Sequence, residues 1–135
     1  MVQTVLSIDD DNITQVLNNI YLESSGICNK VIELFDGQEA LSFFKKIENG
    51  EEPIENFPDI IFLDLNMPIM DGWEFFDAFE SNFPQFIEKT KIFILSSSIN
   101  PSDEERAKKE KNIVCFLPKP LDEIQLQRVK SLLGF

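Results

Sequence analysis

Apolar and polar residues follow two different patterns along this chain. Short apolar runs bounded by turn residues predict strands, and apolar residues spaced three and four apart predict helices. Five strands are predicted at residues 5–8, 31–35, 60–63, 91–98 and 113–117, each followed by a stretch of helical spacing. The unbroken apolar run at 60–63 is typical of a strand that is buried on both faces. Strict alternation of strands and helices predicts the α/β class, in which helices cover both faces of a parallel sheet.

The first helix is predicted from an apolar stripe and an end signal. The stripe consists of Ile13, Val16, Leu17 and Ile20. Gly26 suits the position after the last turn, where a left-handed residue is common.

Three later helices begin at sequences that match the capping box, in which a cap residue and an acidic residue three positions later bond each other's backbone N–H. The pairs are Asp36 with Glu39, Asp71 with Glu74, and Ser102 with Glu105. The helix that Ser102 opens, at about residues 102–111, has only Ala107 as an apolar residue in its body. It can bury little apolar area, so we expect it to dock weakly.

Length and composition predict one soluble globular domain. The 135 residues are 43% hydrophobic and 27% charged, which is enough to bury a core and too short for two ordinary domains. We therefore expect a single domain over residues 1–135 with no output domain. No signal peptide is visible, and no apolar stretch approaches the roughly 18 residues of a membrane span, which predicts a cytoplasmic location.

Charge and residue usage exclude several classes of function. The net charge of −12 argues against nucleic acid or an anionic membrane as a partner, because both need a basic face. The sequence has no histidine, which excludes Ser-His triads, histidine general bases and zinc-deaminase sites. The two cysteines, Cys28 and Cys115, lack metal-ligand spacing and are interpreted as reduced thiols near the core.

Chemically useful side chains follow four of the predicted strands, at the edge where the carboxyl ends of parallel strands meet. They are Asp9 and Asp10 after the first strand, Asp64 after the third, Ser96 at the fourth and Lys119 after the fifth. If the strand order reverses beside the first strand, strands one and three are neighbours, and Asp9, Asp10 and Asp64 meet. Two like charges 4 Å apart cost on the order of 4 kcal/mol at an effective dielectric of 20, so this cluster needs a cation. Hard oxygen ligands favour Mg²⁺, and Lys119 would supply a second positive charge.

Each of these groups alone has a simpler interpretation. An acidic triplet before a helix is usually a solvated helix N-terminus, which is the interpretation we prefer for Asp11. Serines after a strand usually form turns, and we keep that interpretation for Ser97. A lysine between prolines usually marks a rigid exposed turn. If each group had only its simpler role, the presence of groups that can act together at four strand ends would be a coincidence.

Four motifs, "VLSIDDDN", "PDIIFLDLNMPIMDGWEF", "IFILSSS" and "FLPKPL", strongly resemble the receiver domains of two-component response regulators. The resemblance covers nearly the whole chain, and the ordered combination of motifs is highly specific. It implies a flavodoxin-like, doubly wound (βα)5 sandwich with a five-stranded parallel sheet in the order 2-1-3-4-5.

The resemblance also implies roles for the residues that match the motifs. Asp64 matches the phosphoacceptor. The implied Mg²⁺ ligands are Asp9, Asp10, Asp64 and the backbone carbonyl of Asn66.

Three further residues match the groups that stabilise the phosphoryl group and respond to it. Ser96 and Lys119 match the phosphoryl-stabilising residues, and Ser96 with Phe116 matches the switch pair. The departures are mild, since Ser96 replaces a commoner Thr, Phe116 replaces a commoner Tyr, and Pro118 precedes the lysine. Nothing that phosphorylation requires is missing.

The function implied by the resemblance is Mg²⁺-dependent phosphorylation of Asp64 by a sensor histidine kinase or a histidine phosphotransfer protein. Phosphorylation would switch the surface of helix four, strand five and helix five for binding to an unknown downstream protein. No enzymatic activity is expected beyond the chain's own phosphoryl uptake and slow loss.

Three other classes of protein were weighed against this interpretation. A phosphatase of the haloacid dehalogenase type also has a nucleophilic Asp after an apolar strand, but needs a second Asp two residues on, where this chain has Asn66. An EF-hand needs Gly at the sixth loop position, which is Ile69 when counted from Asp64. A nucleotide-binding flavodoxin or P-loop protein needs a phosphate-cradling loop after the first strand, and none of the five glycines stands there.

Overall fold

Five parallel strands form one sheet in the order β2-β1-β3-β4-β5. The computed structural model describes residues 2–97 and 100–135, so the predicted end of the fourth strand, Ser98, lies outside the described residues. The strands are β1 (Val2–Ile8), β2 (Cys28–Leu34), β3 (Ile60–Asp64), β4 (Lys91–Ser96) and β5 (Ile113–Pro118). All four neighbouring pairs are parallel. The predicted fold class and strand order are confirmed.

Helices connect the strands and cover both faces of the sheet. They are α1 (Asn12–Ser25), α2 (Gly37–Asn49), α3 (Gly72–Asn82), α4 (Pro84–Ile87), α5 (Pro101–Lys109) and α6 (Glu123–Leu133). The one-turn helix α4 was not predicted, and it begins at Pro84, whose fixed φ suits a first helical position. The connection between α2 and β3 contains a short 3-10 helix, Ile54–Asn56. Helix four of the sequence analysis is α5, and helix five is α6.

The core consists of two apolar clusters, one on each face of the sheet. Ile61 and Leu63 of β3 belong to the cluster under α2, α3 and α5, which contains most of the buried phenylalanines. Ile60 and Phe62 belong to the cluster under α1 and α6. β3 is therefore buried on both faces, as its apolar run predicts. Burying one such side chain contributes roughly 1.5–3 kcal/mol, so the central strand is firmly held up to Asp64.

The first helix forms where it was predicted, but its apolar stripe faces solvent. Gly26 ends the helix in the left-handed conformation with a φ of 69°. The residues of α1 that are buried are Gln15, Asn18 and Leu22. The stripe residues are 44–71% exposed: Ile13, Val16, Leu17 and Ile20. The period of the pattern identifies the helix correctly, whereas the buried face carries Gln15, which donates to backbone carbonyls, and Leu22, which belongs to the apolar cluster.

Two of the three predicted helix caps are confirmed. The Oδ1 atom of Asp71 accepts from the N–H of Glu74, and the Glu74 carboxylate accepts from the N–H of Asp71, which completes a capping box. Asp36 also accepts from the N–H of Glu39 and is the N-cap of α2, as predicted, but its capping box is only half formed. The Glu39 carboxylate accepts from the N–H of Phe35 at 3.4 Å, one residue before the cap.

The third predicted cap is wrong by two residues. Asn100, and not Ser102, is the N-cap of α5, and its side-chain oxygen accepts from the Ser102 N–H at 3.0 Å. Pro101 follows as the first helical residue, a position where its missing N–H costs nothing. The pairing of Ser102 with Glu105 therefore lies inside the helix.

Within residues 2–97 and 100–135, no helix has both the length and the apolar character that a membrane crossing requires.

Candidate functional site

The parallel pairing of β1 with β3 brings three carboxylates together at the carboxyl edge of the sheet. Ile8 pairs with Leu63, so Asp9 follows directly beside Asp64. Asp9 and Asp64 are 2% and 3% exposed, whereas Asp10 is exposed. One carboxylate oxygen from each of the three aspartates lies within 4.8 Å of the others. The structure thus assembles the cluster that the strand ends predict.

The ammonium group of Lys119 bridges the two buried carboxylates. Its Nζ lies 2.7 Å from Oδ2 of Asp9 and 3.2 Å from Oδ1 of Asp64. The backbone of Lys119 is fixed as well, because its N–H donates to the carbonyl of Ser96 at 2.8 Å. The lysine, which directly follows β5, therefore supplies one positive charge to a cluster of three carboxylates.

Burial and neighbouring charge change the acidity of this site. Burial, and then the nearby Asp9 carboxylate, raise the pKa of Asp64 from its ordinary 3.8 to about 6, although Lys119 opposes the shift. Burial tends to lower the pKa of Lys119, but its hydrogen bond and charge interactions with Asp9 and Asp64 outweigh burial and raise that pKa above 10.5. At neutral pH Asp64 is thus predominantly ionised, and Lys119 is positively charged.

The loop after β3 leaves no room for a side chain at residue 72. A Cβ atom there would lie 2.4 Å from the carbonyl oxygen of Asp64 and 2.8 Å from Cα of Leu65. Gly72 also donates its N–H to the carbonyl of Leu65 at 3.0 Å, and the Asn66 N–H donates to Oδ1 of Asp64 at 3.3 Å. Gly72 lets α3 begin against the backbone of the candidate acceptor. This role of Gly72 was not predicted from the sequence, although the Asp-Gly dipeptide is a turn signal that could have indicated it.

The same loop contains a strained residue that the sequence analysis missed. The carbonyl of Pro68 accepts from the N–H of Met70 at 2.8 Å, which closes a three-residue turn around Ile69. Ile69 has a φ of 68° and is 92% exposed. This left-handed conformation is costly for a β-branched residue, and such strain is common near functional sites. The turn holds an apolar side chain in solvent within the loop that follows Asp64.

The two predicted switch residues lie in different surroundings. Ser96 is 2% exposed and ends β4 at the edge that carries the carboxylates, where it pairs with Pro118. Phe116 pairs with Ile94 and packs, half-buried, against the apolar cluster under α5. It also lines a cleft of about 490 Å³ together with Ala107. The structure therefore places Ser96 at the acidic edge and Phe116 beneath α5.

The donor set of the cluster fits a hard divalent cation. It consists of carboxylate oxygens, the ligands that Mg²⁺ prefers in proteins. The buried Oδ2 atom of Asp9 lies 2.7 Å from Nζ of Lys119, and because a carboxylate oxygen has two lone pairs it keeps capacity for a further cation. Three negative charges against one lysine also leave the cluster with excess negative charge. The residues that could hold the ion are Asp9, Asp10 and Asp64. The backbone carbonyl of Asn66, which the resemblance implies as a further ligand, stays a prediction.

Comparisons with known proteins identify the family. The family model described as "Response regulator receiver domain" matches residues 5–130. Response regulator Rcp1 from Synechocystis sp. is 30% identical over 117 residues, covering 87% of this chain and 76% of that protein.

Solved structures agree with the sequence comparisons. A two-component response regulator from Cytophaga hutchinsonii superimposes with a TM-score of 0.85 at 29% identity, over 98% of both chains. The receiver domain of the histidine kinase CKI1 from Arabidopsis thaliana, complexed with Mg²⁺ and BeF3−, superimposes with a TM-score of 0.76 at 25% identity, over 98% of this chain and 91% of that one. This chain therefore belongs to the response regulator receiver domain family.

Proposed function

We propose that this chain is a phosphoacceptor receiver of a two-component phosphorelay and that Asp64 is the acceptor. The observation that supports this best is the buried contact of Lys119 with both Asp9 and Asp64 at the carboxyl edge of the sheet. The donor would be a phosphohistidine on a sensor histidine kinase or on a histidine phosphotransfer protein. We expect a cytoplasmic location for this reaction, with no nucleic acid or membrane as a partner.

The chemistry follows from the charges at the site. An Oδ atom of Asp64 attacks the phosphorus as an ionised carboxylate, the phosphorus–nitrogen bond breaks, and its electron pair returns to the donor imidazole. Lys119 already contacts the acceptor carboxylate and is positioned to stabilise a phosphoryl oxygen. Asp9, Asp10, Asp64 and the Asn66 carbonyl would hold Mg²⁺, which would supply positive charge to offset the negative charge of the phosphoryl group. Ser96, at the end of the neighbouring strand, would donate its hydroxyl hydrogen to the phosphoryl group.

The output of this reaction would be a change in surface. Ser96 would move toward the phosphoryl group, and Phe116 would turn inward beneath α5. The surface of α5, β5 and α6 would then bind a downstream protein. The half-buried position of Phe116 beside the cleft under α5 supports this proposal.

A phosphatase of the haloacid dehalogenase type is the alternative that the sequence left open. That chemistry needs a general acid two residues after the nucleophile, and residue 66 is an amide whose backbone N–H donates to Oδ1 of Asp64. We therefore propose single uptake and slow loss of phosphate. A phosphatase would instead release many phosphates per chain.

Intact mass after incubation with acetyl phosphate and Mg²⁺ tests the acceptor. The wild type should gain about 80 Da, the mass of one HPO₃ group on one activated carboxylate, and Asp64→Asn should gain nothing. Asp59→Asn is a matched control, because Asp59 precedes the same strand at the opposite edge of the sheet and accepts from the N–H groups of Gln3 and Thr4. Labelling of Asp64→Asn at the level of the wild type would show that the acceptor lies elsewhere.

A further inference from the structure

The buried amide of Gln15 connects α1 to the ends of two strands. Gln15 is 1% exposed. Its Nε2 donates to the carbonyl oxygens of Ser7, Asp9 and Leu34 at 3.0, 3.1 and 2.9 Å, and its Oε1 accepts from the Ser7 hydroxyl at 2.7 Å. An amide nitrogen has two hydrogens, so one of them is shared between two carbonyls. Such a fully engaged buried group is costly to replace by an apolar one, because its partners lose their hydrogen bonds.

These bonds hold the acidic loop, residues 9–11, on both sides of Asp10. The side chain of Gln15 donates to the carbonyl of Asp9 at 3.1 Å, and its backbone N–H donates to the carbonyl of Asp11 at 3.0 Å. The N–H of Asp9 also donates to the carbonyl of Leu34 at 3.1 Å, the same oxygen that accepts from Gln15. The Gln15 side chain therefore holds the residue before Asp10, and the first backbone hydrogen bond of α1 holds the residue after it.

It matters that the Gln15 side chain is uncharged, because the loop that it holds is strongly acidic. Three carboxylates lie within 4.8 Å of one another, and their repulsion favours any conformation of the loop that separates them. An arginine or lysine in place of Gln15 could also donate to the carbonyls, but it would add a positive charge that competes with a bound cation. A glutamine amide restrains the loop and leaves its negative charge available.

We propose that Gln15 is a positioning residue whose amide holds the acidic loop in the conformation that binds a divalent cation. This inference rests on the proposed function, which assigns Asp9 and Asp10 to the metal site. In this inference a residue of α1 controls the metal affinity of that site, although it contacts no phosphoryl group in the proposed reaction.

The test compares two buried polar residues on the same side of α1. Gln15→Met keeps the length of the side chain and removes its hydrogen bonds. Asn18→Leu is the matched control, because Asn18 is 2% exposed and its Nδ2 has no hydrogen-bond partner in the described part of the chain. Mg²⁺ affinity is measured by calorimetric titration of the folded protein, and stability is measured by urea unfolding in the presence of a chelator.

We expect Gln15→Met to bind Mg²⁺ about tenfold more weakly, as is typical when a group that orients a metal ligand is removed. Asn18→Leu should bind Mg²⁺ as the wild type does. Equal Mg²⁺ affinity of Gln15→Met and wild type would overturn the inference, because Gln15 would then only stabilise the fold. An equal loss in Asn18→Leu would overturn it too, because any change beneath α1 would suffice.

Ser7→Ala decides the matter if Gln15→Met does not fold. It leaves Gln15 in place but removes the hydroxyl that orients the amide, so we expect about a threefold loss of Mg²⁺ affinity from one lost hydrogen bond. Unchanged affinity in Ser7→Ala would then overturn the inference. The wild-type titration separates this inference from the proposed function: if the wild type itself binds no Mg²⁺, the proposed metal site fails and the role of Gln15 fails with it.

Discussion

The guanidinium carbon of Arg106 lies 4.2 Å from the centre of the Trp73 ring, which joins α5 to the first turn of α3. Arg106 also contacts Asp77 of α3 through Nη2 at 2.6 Å, and the Trp73 indole N–H donates to Asp103 at 2.9 Å. The one buried apolar residue of α5 is Ala107. This helix makes little apolar contact, as the sequence predicts. Polar and cation–π contacts also attach it to α3, and these could not be predicted from its number of apolar residues.

We predict that Arg106→Gln loosens α5 selectively. A cation–π contact contributes about 0.5–1 kcal/mol at exposed sites, and an exposed ion pair contributes roughly 0.2–1 kcal/mol. Native-state hydrogen exchange of the α5 amides should therefore accelerate about threefold to thirtyfold, while exchange in β3 stays unchanged.

Lys109→Gln provides the control in the same helix. Within the described residues Lys109 forms one ion pair, with Glu105 at 3.1 Å, and both side chains are well exposed, at 74% and 69%. Its removal should leave the exchange of α5 nearly unchanged. Equal acceleration in both variants would show that helix charge, and not the contact with Trp73, holds α5.

The acidity of Asp64 predicts a pH-dependent loss of stability in the metal-free protein. The folded state raises the pKa of this carboxyl from 3.8 to about 6, through burial and the Asp9 charge. Protonated Asp64 therefore favours the folded state. Its contribution is fully present below pH 3.8 and is lost as pH rises through about 6, a change of about 2–3 kcal/mol at 1.36 kcal/mol per pKa unit.

The measurement is urea unfolding of wild type and Asp64→Asn in chelator, between pH 4 and pH 7.5. Titrating groups that do not interact with Asp64 are common to both proteins and cancel in the difference. The stability advantage of Asp64→Asn should grow as pH rises. A difference that does not change with pH would show that Asp64 titrates alike in the folded and unfolded states.

Asp10 and Asp11 are adjacent, yet we predict opposite effects on stability when each is replaced by alanine. Asp10→Ala removes one charge from the acidic cluster, so it should weaken Mg²⁺ binding and raise the metal-free unfolding midpoint by about 2–4 °C. Asp11 is the N-cap of α1 and accepts from the Ile13 N–H and the Thr14 hydroxyl, which lower its pKa. Asp11→Ala should therefore lower the midpoint and leave Mg²⁺ affinity nearly unchanged.

Thermal unfolding and Mg²⁺ titration of the two variants check this prediction. Unchanged Mg²⁺ affinity in Asp10→Ala would remove Asp10 from the proposed ligand set. A loss of affinity in Asp11→Ala as large as that in Asp10→Ala would show that the cluster extends to the helix cap.

The arrangement of Asp9, Asp10 and Asp64 could be predicted from sequence because it depends on strand order. Parallel strands place their carboxyl ends at one edge, and an apolar run shows where each strand ends. Lys119 could be placed at the same edge by the same argument.

The parts that sequence did not predict depend on contacts between distant residues or on competing local signals. Trp73 and Arg106 are 33 positions apart, and no periodic pattern relates them. In α1, periodicity identifies the helix but cannot show that backbone carbonyls recruit Gln15 to the buried face. At α5, Asn100 and Ser102 are both good caps, and Pro101 between them decides in favour of Asn100.

The last prediction concerns how occupation of Asp64 reaches the surface of α5. Phe116 is half-buried, packs against the apolar cluster beneath α5 and lines the cleft of about 490 Å³ that Ala107 also lines. Completing the burial of this ring contributes at most roughly 1.5–3 kcal/mol, which is comparable to the attachment of α5 through Arg106. A group bound at Asp64 that draws Ser96 toward it would therefore shift Phe116 inward.

We expect the ¹⁹F resonance of fluorinated Phe116 to move when beryllofluoride and Mg²⁺ are added, and not to move in Asp64→Asn. Fluorinated Phe62, which is 1% exposed in the opposite cluster, is the control for general changes of the core. A single unchanged Phe116 resonance, with Asp64 shown to be occupied, would show that occupation of Asp64 does not move this ring.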